Sequence, residues 1–128
     1  MTKTNIIGSM KVTGFLFFYL FTLLPLSAKV DVRNLHVENL TNPLGIDTDR
    51  PRFSWTTISD EKDVRQTAYQ IIVSDDSGEL WNSGKVDSDK QLWIPYSGGK
   101  LKSGMQCSWK VKVYTNKGET AWSEPQRF

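Results

Sequence analysis

Asp47 with Asp49, and Asp87 with Asp89, are the acids whose one-residue spacing could ligate a cation. Alternate carboxylates suit calcium, but a calcium loop also needs further oxygen ligands at set positions and usually a closing glutamate. Neither stretch supplies them. Asp75 and Asp76 head the sequence Asp75-Asp76-Ser77-Gly78, where bonding of a carboxylate to nearby backbone N–H groups in a turn accounts for them. Glycoside hydrolysis would require two carboxylates facing each other across a cleft. No acid here lies in an apolar setting that would raise its pKa, and one small domain offers no deep cleft. His36 is the single histidine. It has no serine elbow, cysteine partner or second metal ligand, so it reads as a strand or surface residue. Cys107 is the single cysteine, which excludes an internal disulfide. It falls on the apolar face of an alternating segment, so a buried, inert thiol is expected. There is no glycine-rich phosphate loop. No catalytic residue, metal ligand or cofactor is assigned.

Five tryptophans raise a different chemistry, because aromatic faces stack on pyranose rings through the amphipathic contacts they also use in cores. Trp55 and Trp109 sit on the inward faces of alternating strands and are expected in the core. Trp81, Trp93, Tyr96 and Trp122 are the candidates for contact with carbohydrate or with another domain. Covering sheet edges or a domain interface is the preferred role for them.

The elements that must position these residues are short strands. From Cys107, apolar Trp109, Val111 and Val113 alternate with Ser108, Lys110, Lys112 and Tyr114, the period of a half-buried strand. Asn116-Lys117-Gly118 is a turn, and Ala121–Pro125 leads on to Phe128. Val30–Leu40 is a first strand, with Val32, Leu35 and Val37 so spaced that a bulge or bend is expected. Thr41–Asp47 is loop chemistry around Pro43 and Gly45. Arg52–Thr56 and Gln66–Ser74 are strands separated by a charged loop over Ser59–Val64. Leu80-Trp81 and Lys85-Val86 form a broken extended segment. Gln91–Tyr96 is a strand whose faces the consecutive Leu92, Trp93 and Ile94 leave unassigned. Nothing after residue 28 carries a helical period. About seven short strands with regular turn signals predict an all-β, immunoglobulin/fibronectin type III-like antiparallel sandwich over residues 29–128.

Residues 1–28 are a different kind of segment. Lys3 and Lys11 precede an apolar run from Val12 to Leu26, followed by Ser27 and Ala28, as in a secretory signal peptide. The run is shorter than the roughly 20 residues of a bilayer-spanning helix. Export to the periplasm or the exterior is expected, with no stable membrane span after cleavage. The formal charge of +2 comes from Lys3 and Lys11, and the remainder balances 14 bases against 14 acids. Nucleic acid, which requires a basic patch, is therefore not an expected partner.

Several stretches also carry a likeness: Asn42-Pro43-Leu44-Gly45-Ile46-Asp47, Arg50–Trp55, Arg65–Val73, Leu80–Val86, Trp109–Val113 and Ala121–Glu124. In this order they resemble the amino-terminal fibronectin type III-like domain of bacterial α-L-rhamnosidases, glycoside hydrolase family 78. The resemblance implies a non-catalytic accessory domain at the head of an exported hydrolase, whose catalytic acids lie in a helical barrel far downstream. No catalytic residue carries over. The expected partners are the other domains of such an enzyme, absent here, and the chain is expected to be a truncated or split fragment. A stand-alone module for rhamnose-containing glycans is the alternative, and an enzyme in its own right the third reading. The family usually has tyrosine where Cys107 stands, its hydroxyl bonding back to the preceding turn. The resemblance thus implies a looser turn at Lys102-Ser103-Gly104 and a gap beside the smaller side chain. Cys107→Tyr is expected to raise stability modestly; an unchanged or lower midpoint of urea unfolding would remove the idea.

Overall fold

The computed structural model describes residues 29–128, so the leader predicted at 1–28 lies outside the described residues. Eight strands follow in order: β1 (Val30–Val37), β2 (Arg52–Ser59), β3 (Gln66–Asp75), β4 (Gly78–Asn82), β5 (Ile94–Pro95), β6 (Ser108–Thr115), β7 (Gly118–Glu119) and β8 (Gln126–Arg127). All pairings are antiparallel. One sheet has the order β1-β2-β5. The other runs β4-β3-β6, with β7 and β8 both paired to β6.

β7 and β8 are two ends of one interrupted strand, which reconciles eight elements with the seven expected. Between them Thr120 N donates to Val113 O at 2.8 Å and Ser123 N to Val111 O at 2.9 Å. The return bonds go to hydroxyls: Val113 N donates to Thr120 Oγ1 at 2.9 Å and Val111 N to Ser123 Oγ at 3.0 Å. Side-chain oxygens thus replace strand carbonyls, and β6 stays paired along a strand that is not regularly extended. Ser83 does the same beyond β4, accepting from Ile71 N at 2.8 Å while its own N–H donates to Ile71 O.

One of the sequence expectations for the strands holds and three need adjustment. β1 does bend, with a register shift between Arg33 and His36 and Asn34 at a φ of 55°. It ends at Val37 rather than Leu40, because Glu38 and Asn39 have φ of 51° and 66° and the Val37 and Leu40 backbones pair across them. Positive φ at both central residues is the requirement of a type I′ turn. β2 runs on to Ser59, which shortens the charged loop. The strand expected over Gln91–Tyr96 is reduced to Ile94–Pro95, because Trp93 has a φ of 58° and breaks the extension.

Phe53 and Trp55 of β2 face Tyr69, Ile71, Val73, Trp109, Val111 and Val113 across the sandwich, all buried. The Phe53 and Trp109 rings lie 4.5 Å apart, and Trp55 meets Tyr69 edge-on at 5.3 Å. Trp109 Nε1 is buried with no hydrogen-bond partner, a cost of roughly 1–3 kcal/mol that its apolar contacts must offset.

Gln66 closes the end of the sandwich away from Phe128. Its Oε1 accepts from Trp55 Nε1 at 3.0 Å, and its Nε2 donates to Ser88 O at 3.0 Å and Lys90 O at 2.8 Å. One buried amide thereby joins both sheets to the segment that crosses between them. Gln66→Met keeps the volume and removes every one of these bonds. A loss of about 1–3 kcal/mol in urea unfolding is expected, chiefly from the stranded indole N–H; a loss under about 0.5 kcal/mol, the range of ordinary surface changes, would show that the clamp is idle.

Candidate functional site

The strand registers give the sandwich two distinct poles. Val30 pairs with Ser59 at one, and Val37 with Phe53 towards the other. In the second sheet, Gln66 pairs with Thr115 and Ser74 with Ser108. Phe128 lies 5.8 Å from Phe53, ring to ring, and exchanges backbone bonds of 2.9 Å with Cys107. The turn at Glu38-Asn39, the loop that follows it, the 101–107 turn and Phe128 therefore gather at one pole. Val30, the loop after Ser59 and the turn at Asn116 gather at the other.

The four aromatic candidates do not form one platform. Tyr96 is buried at 1% exposure and is corrected from surface contact to core. It meets Trp81 edge-on at 5.2 Å, and Trp81 is half-buried with its ring 6.4 Å from Phe53. Gly98 belongs to the same contact, since a Cβ there would collide with the Tyr96 hydroxyl and approach Trp81 Cβ to 2.7 Å. Trp122 lies over the outer face of the β3–β6 sheet, with Lys110 Nζ 5.0 Å and Lys112 Nζ 5.6 Å from its ring. Trp93 lies on the opposite side of the sandwich, beyond the outward-facing Arg52.

Trp93 is the one candidate that is exposed, at 42%, and its left-handed φ is unusual for a bulky residue. Its N–H donates to Ser54 Oγ at 3.1 Å. The Arg52 guanidinium lies 4.2 Å from its ring centroid. Glu38 holds that guanidinium from the other direction, with Arg52 Nη2 2.6 Å from Oε2 and Nε 3.1 Å from Oε1. Arg52 N also donates to Glu38 Oε1 at 2.8 Å. These bonds hold the Glu38 carboxyl below its ordinary range and raise Arg52, the side-chain hydrogen bond being the leading cause for both.

A second set of surface residues was not singled out by residue type. Leu44 is fully exposed, and Leu40 is 51% exposed, both on the loop after the Glu38-Asn39 turn. Asn42 in that loop has a φ of 47°, and its Oδ1 accepts from Arg127 N at 3.1 Å. Beside it is a cleft of about 490 Å³ walled by Ile46, Asp47, Leu101, Met105, Cys107 and Phe128. The only sequence signal was a leucine within a Pro- and Gly-containing loop, where a solvated residue is usual. Cys107 itself is buried, and burial pushes its thiol pKa up, which keeps the unreactive form. The turn before it has bonds of its own, Met105 N to Lys102 O at 3.2 Å and Lys102 N to Met105 Sδ at 3.1 Å.

Residues 32–128 match the family described as the Rha78A-like, N-terminal immunoglobulin domain. An α-L-rhamnosidase of Formosa agariphila is 33% identical over 111 residues, 80% of this chain and 12% of that protein. One of Streptomyces avermitilis is 38% identical over 95 residues, 70% of this chain and 9% of that protein. The solved structure of a Streptomyces avermitilis α-L-rhamnosidase complexed with L-rhamnose superposes with a TM-score of 0.73 at 35% identity, over 77% of this chain and 10% of that one. The Dictyoglumus thermophilum α-L-rhamnosidase structure gives 0.70 at 37% identity, over 80% and 12%. The chain thus spans about a tenth of the length of these relatives.

The Glu38–Arg52 contact makes a signed prediction. A carboxyl whose pKa is lowered by folding contributes stability above its unfolded value, near 4.5, and loses it as pH falls through the folded value. Asp75, lowered by the Ser77 hydroxyl, adds acid sensitivity of its own. The difference between the native chain and Glu38→Gln isolates Glu38. Thermal midpoints of the two are expected to differ most near neutral pH and to converge as pH falls through the folded value of Glu38; a gap that stays constant on acidification would show that the charge of Glu38 contributes nothing to folding.

Proposed function

The chain belongs to the family of Rha78A-like N-terminal immunoglobulin domains, and on that premise we propose that it serves as the non-catalytic head of an exported α-L-rhamnosidase. It acts there by packing against and positioning the other domains. The observation that carries this reading is the ratio of coverage: residues 32–128, most of this chain, match the N-terminal domain family, while the match covers only about a tenth of relatives with the activity. The aromatic residues agree with it. Trp55, Trp109 and Tyr96 are spent on the core, Trp81 packs on Phe53 and Tyr96 of the facing sheet, and Trp122 lies over lysines of its own sheet. Export to the periplasm or the exterior rests on the leader character of residues 1–28 and belongs to the same proposal.

Trp93 favours a second reading, in which the domain holds a rhamnose-containing glycan. It combines exposure, a strained backbone and a neighbouring carboxylate–guanidinium pair, groups that suit a sugar's apolar face and hydroxyls. Both readings exclude hydrolysis by this chain alone.

Two measurements on residues 29–128 separate the readings. Incubation with an aryl rhamnoside is expected to release no rhamnose. Titration with rhamnosides, followed by tryptophan fluorescence, is expected to show no saturable change. A saturable change abolished by Trp93→Ala would establish the glycan module in place of the structural head, and turnover by the purified chain would overturn both.

A further inference from the structure

Three of the five large apolar side chains found exposed among the described residues lie at or beside the Phe128 pole: Leu40, Leu44 and Trp93. Trp93 flanks it, with its ring against Arg52. Leu40 and Leu44 crown it. Leu92 sits further along the sheet, next to the residue whose carbonyl accepts from Trp55 N, and Ile58 lies towards the opposite pole, on β2 opposite Asp31. A solvated loop gains nothing from a fully exposed leucine, and apolar surface gathered at one end of a small domain marks a contact surface.

The backbone beneath this surface is unusually fixed. Glu38, Asn39 and Asn42 all have positive φ within five residues. The tight turn is closed by two bonds between Val37 and Leu40, of 2.8 and 2.9 Å, and by Glu38 N donating to Arg52 O at 3.0 Å. Asn42 ties the loop to Arg127, so the loop and the last strand form one unit. Residues held in sparsely populated conformations by several independent bonds concentrate where a defined surface is needed.

We infer that this pole, with Leu40 and Leu44 as its apolar anchors and the cleft between Ile46, Leu101, Met105 and Phe128 as its socket, is the face that docks onto the rhamnosidase body in the full-length enzyme. The inference rests on the structural-head reading and names its surface. The occupant follows from the relatives. Their matching piece is the N-terminal domain, so in them the polypeptide continues from the last strand and emerges at this pole. About nine-tenths of each relative lies beyond the match. The nearest body for these leucines is the next domain of the same chain, brought to a high effective concentration by the covalent connection. A second copy of this chain is the competing occupant, and the test distinguishes it.

The test uses this domain both alone and transplanted, residues 30–128 replacing the matching segment of the Streptomyces avermitilis α-L-rhamnosidase. Alone, Leu44→Asp and Leu40→Asp should shift the thermal midpoint by no more than about 2 °C, as changes to exposed residues do. In the chimera the same changes should lower the domain's midpoint by more than about 5 °C. Amides 39–46 should exchange at least tenfold more slowly in the unsubstituted chimera than in the isolated chain. Ile58→Asp should act alike in both contexts. Equal shifts for Leu44→Asp in the two contexts, with unchanged exchange at 39–46, would overturn the assignment. If the chimera is nevertheless more stable than the enzyme with the segment deleted, the head role survives and only the pole is wrong. If it is no more stable, the head role itself fails. A chimera that does not assemble around the unsubstituted domain counts against the pole as well, because the face then fails to fit a relative's body. A concentration-dependent dimer of the isolated chain, lost in Leu44→Asp, would assign the pole to a second copy instead.

Discussion

The contact on which the rest of the structure depends is Phe53 against Trp109, with ring centres 4.5 Å apart across the two sheets. Neither sheet could hide its inner face alone. The β1-β2-β5 sheet brings Phe53 and Trp55, and the β4-β3-β6 sheet brings Trp109, Val111 and Val113, all essentially removed from water. Burying each large side chain is worth roughly 1.5–3 kcal/mol, and this must support a domain without an internal disulfide, since Cys107 is the single cysteine. The Trp109 indole N–H, left without a partner, shows what the packing can carry. The ring is worth more as apolar volume at the centre than its unpaired donor costs.

From this contact the remaining features fall into place as closures of the two ends. Gln66 shuts one end by bonding Trp55 Nε1 and two carbonyls of the crossing segment. Phe128 shuts the other, edge-on to Phe53 and paired through its backbone with Cys107. Trp81 and Tyr96 cover the flank of Phe53 in a contact close enough that residue 98 must be glycine. The aromatic richness that first suggested a sugar platform is mostly the cost of enclosing a core in about 100 residues.

What was legible in the sequence was whatever the period of two encodes. β6, and β3 from Tyr69 to Val73, alternate because each packs one face on the core and leaves the other wetter; before Tyr69 the pattern fails, where Ala68 is buried beside it and the register shifts between Gln66 and Ala68. The illegible parts are those where a side chain takes over a backbone role. Thr120 and Ser123 accept bonds that a regular strand would accept with carbonyls, so the last strand reads as irregular although β6 is paired along it. Ser54 bonds the Trp93 N–H across 39 residues of sequence, and the left-handed turn of the chain there has no local signature. Glu38-Asn39 lacks the glycine that usually marks a type I′ turn. Its geometry is maintained by Arg52, a residue no local window contains.

The same distinction explains why Leu44 escaped a reading by residue type. Chemistry-bearing residues are conspicuous by identity, whereas a docking residue is conspicuous only by being exposed where burial would be expected. Three positive-φ residues, Glu38, Asn39 and Asn42, each carry a backbone cost, smaller for the asparagines because they tolerate the left-handed region. A loop whose sole task was to connect β1 to β2 could relax that cost by lengthening or by adopting glycine. Holding it with Arg52, Leu40 and Arg127 is worthwhile only if the loop's shape is used. A rigid surface loses less entropy when it is covered than a flexible one does. The strain at Glu38, Asn39 and Asn42 and the exposure of Leu40 and Leu44 are therefore two aspects of a single feature, a surface shaped before the contact that buries it.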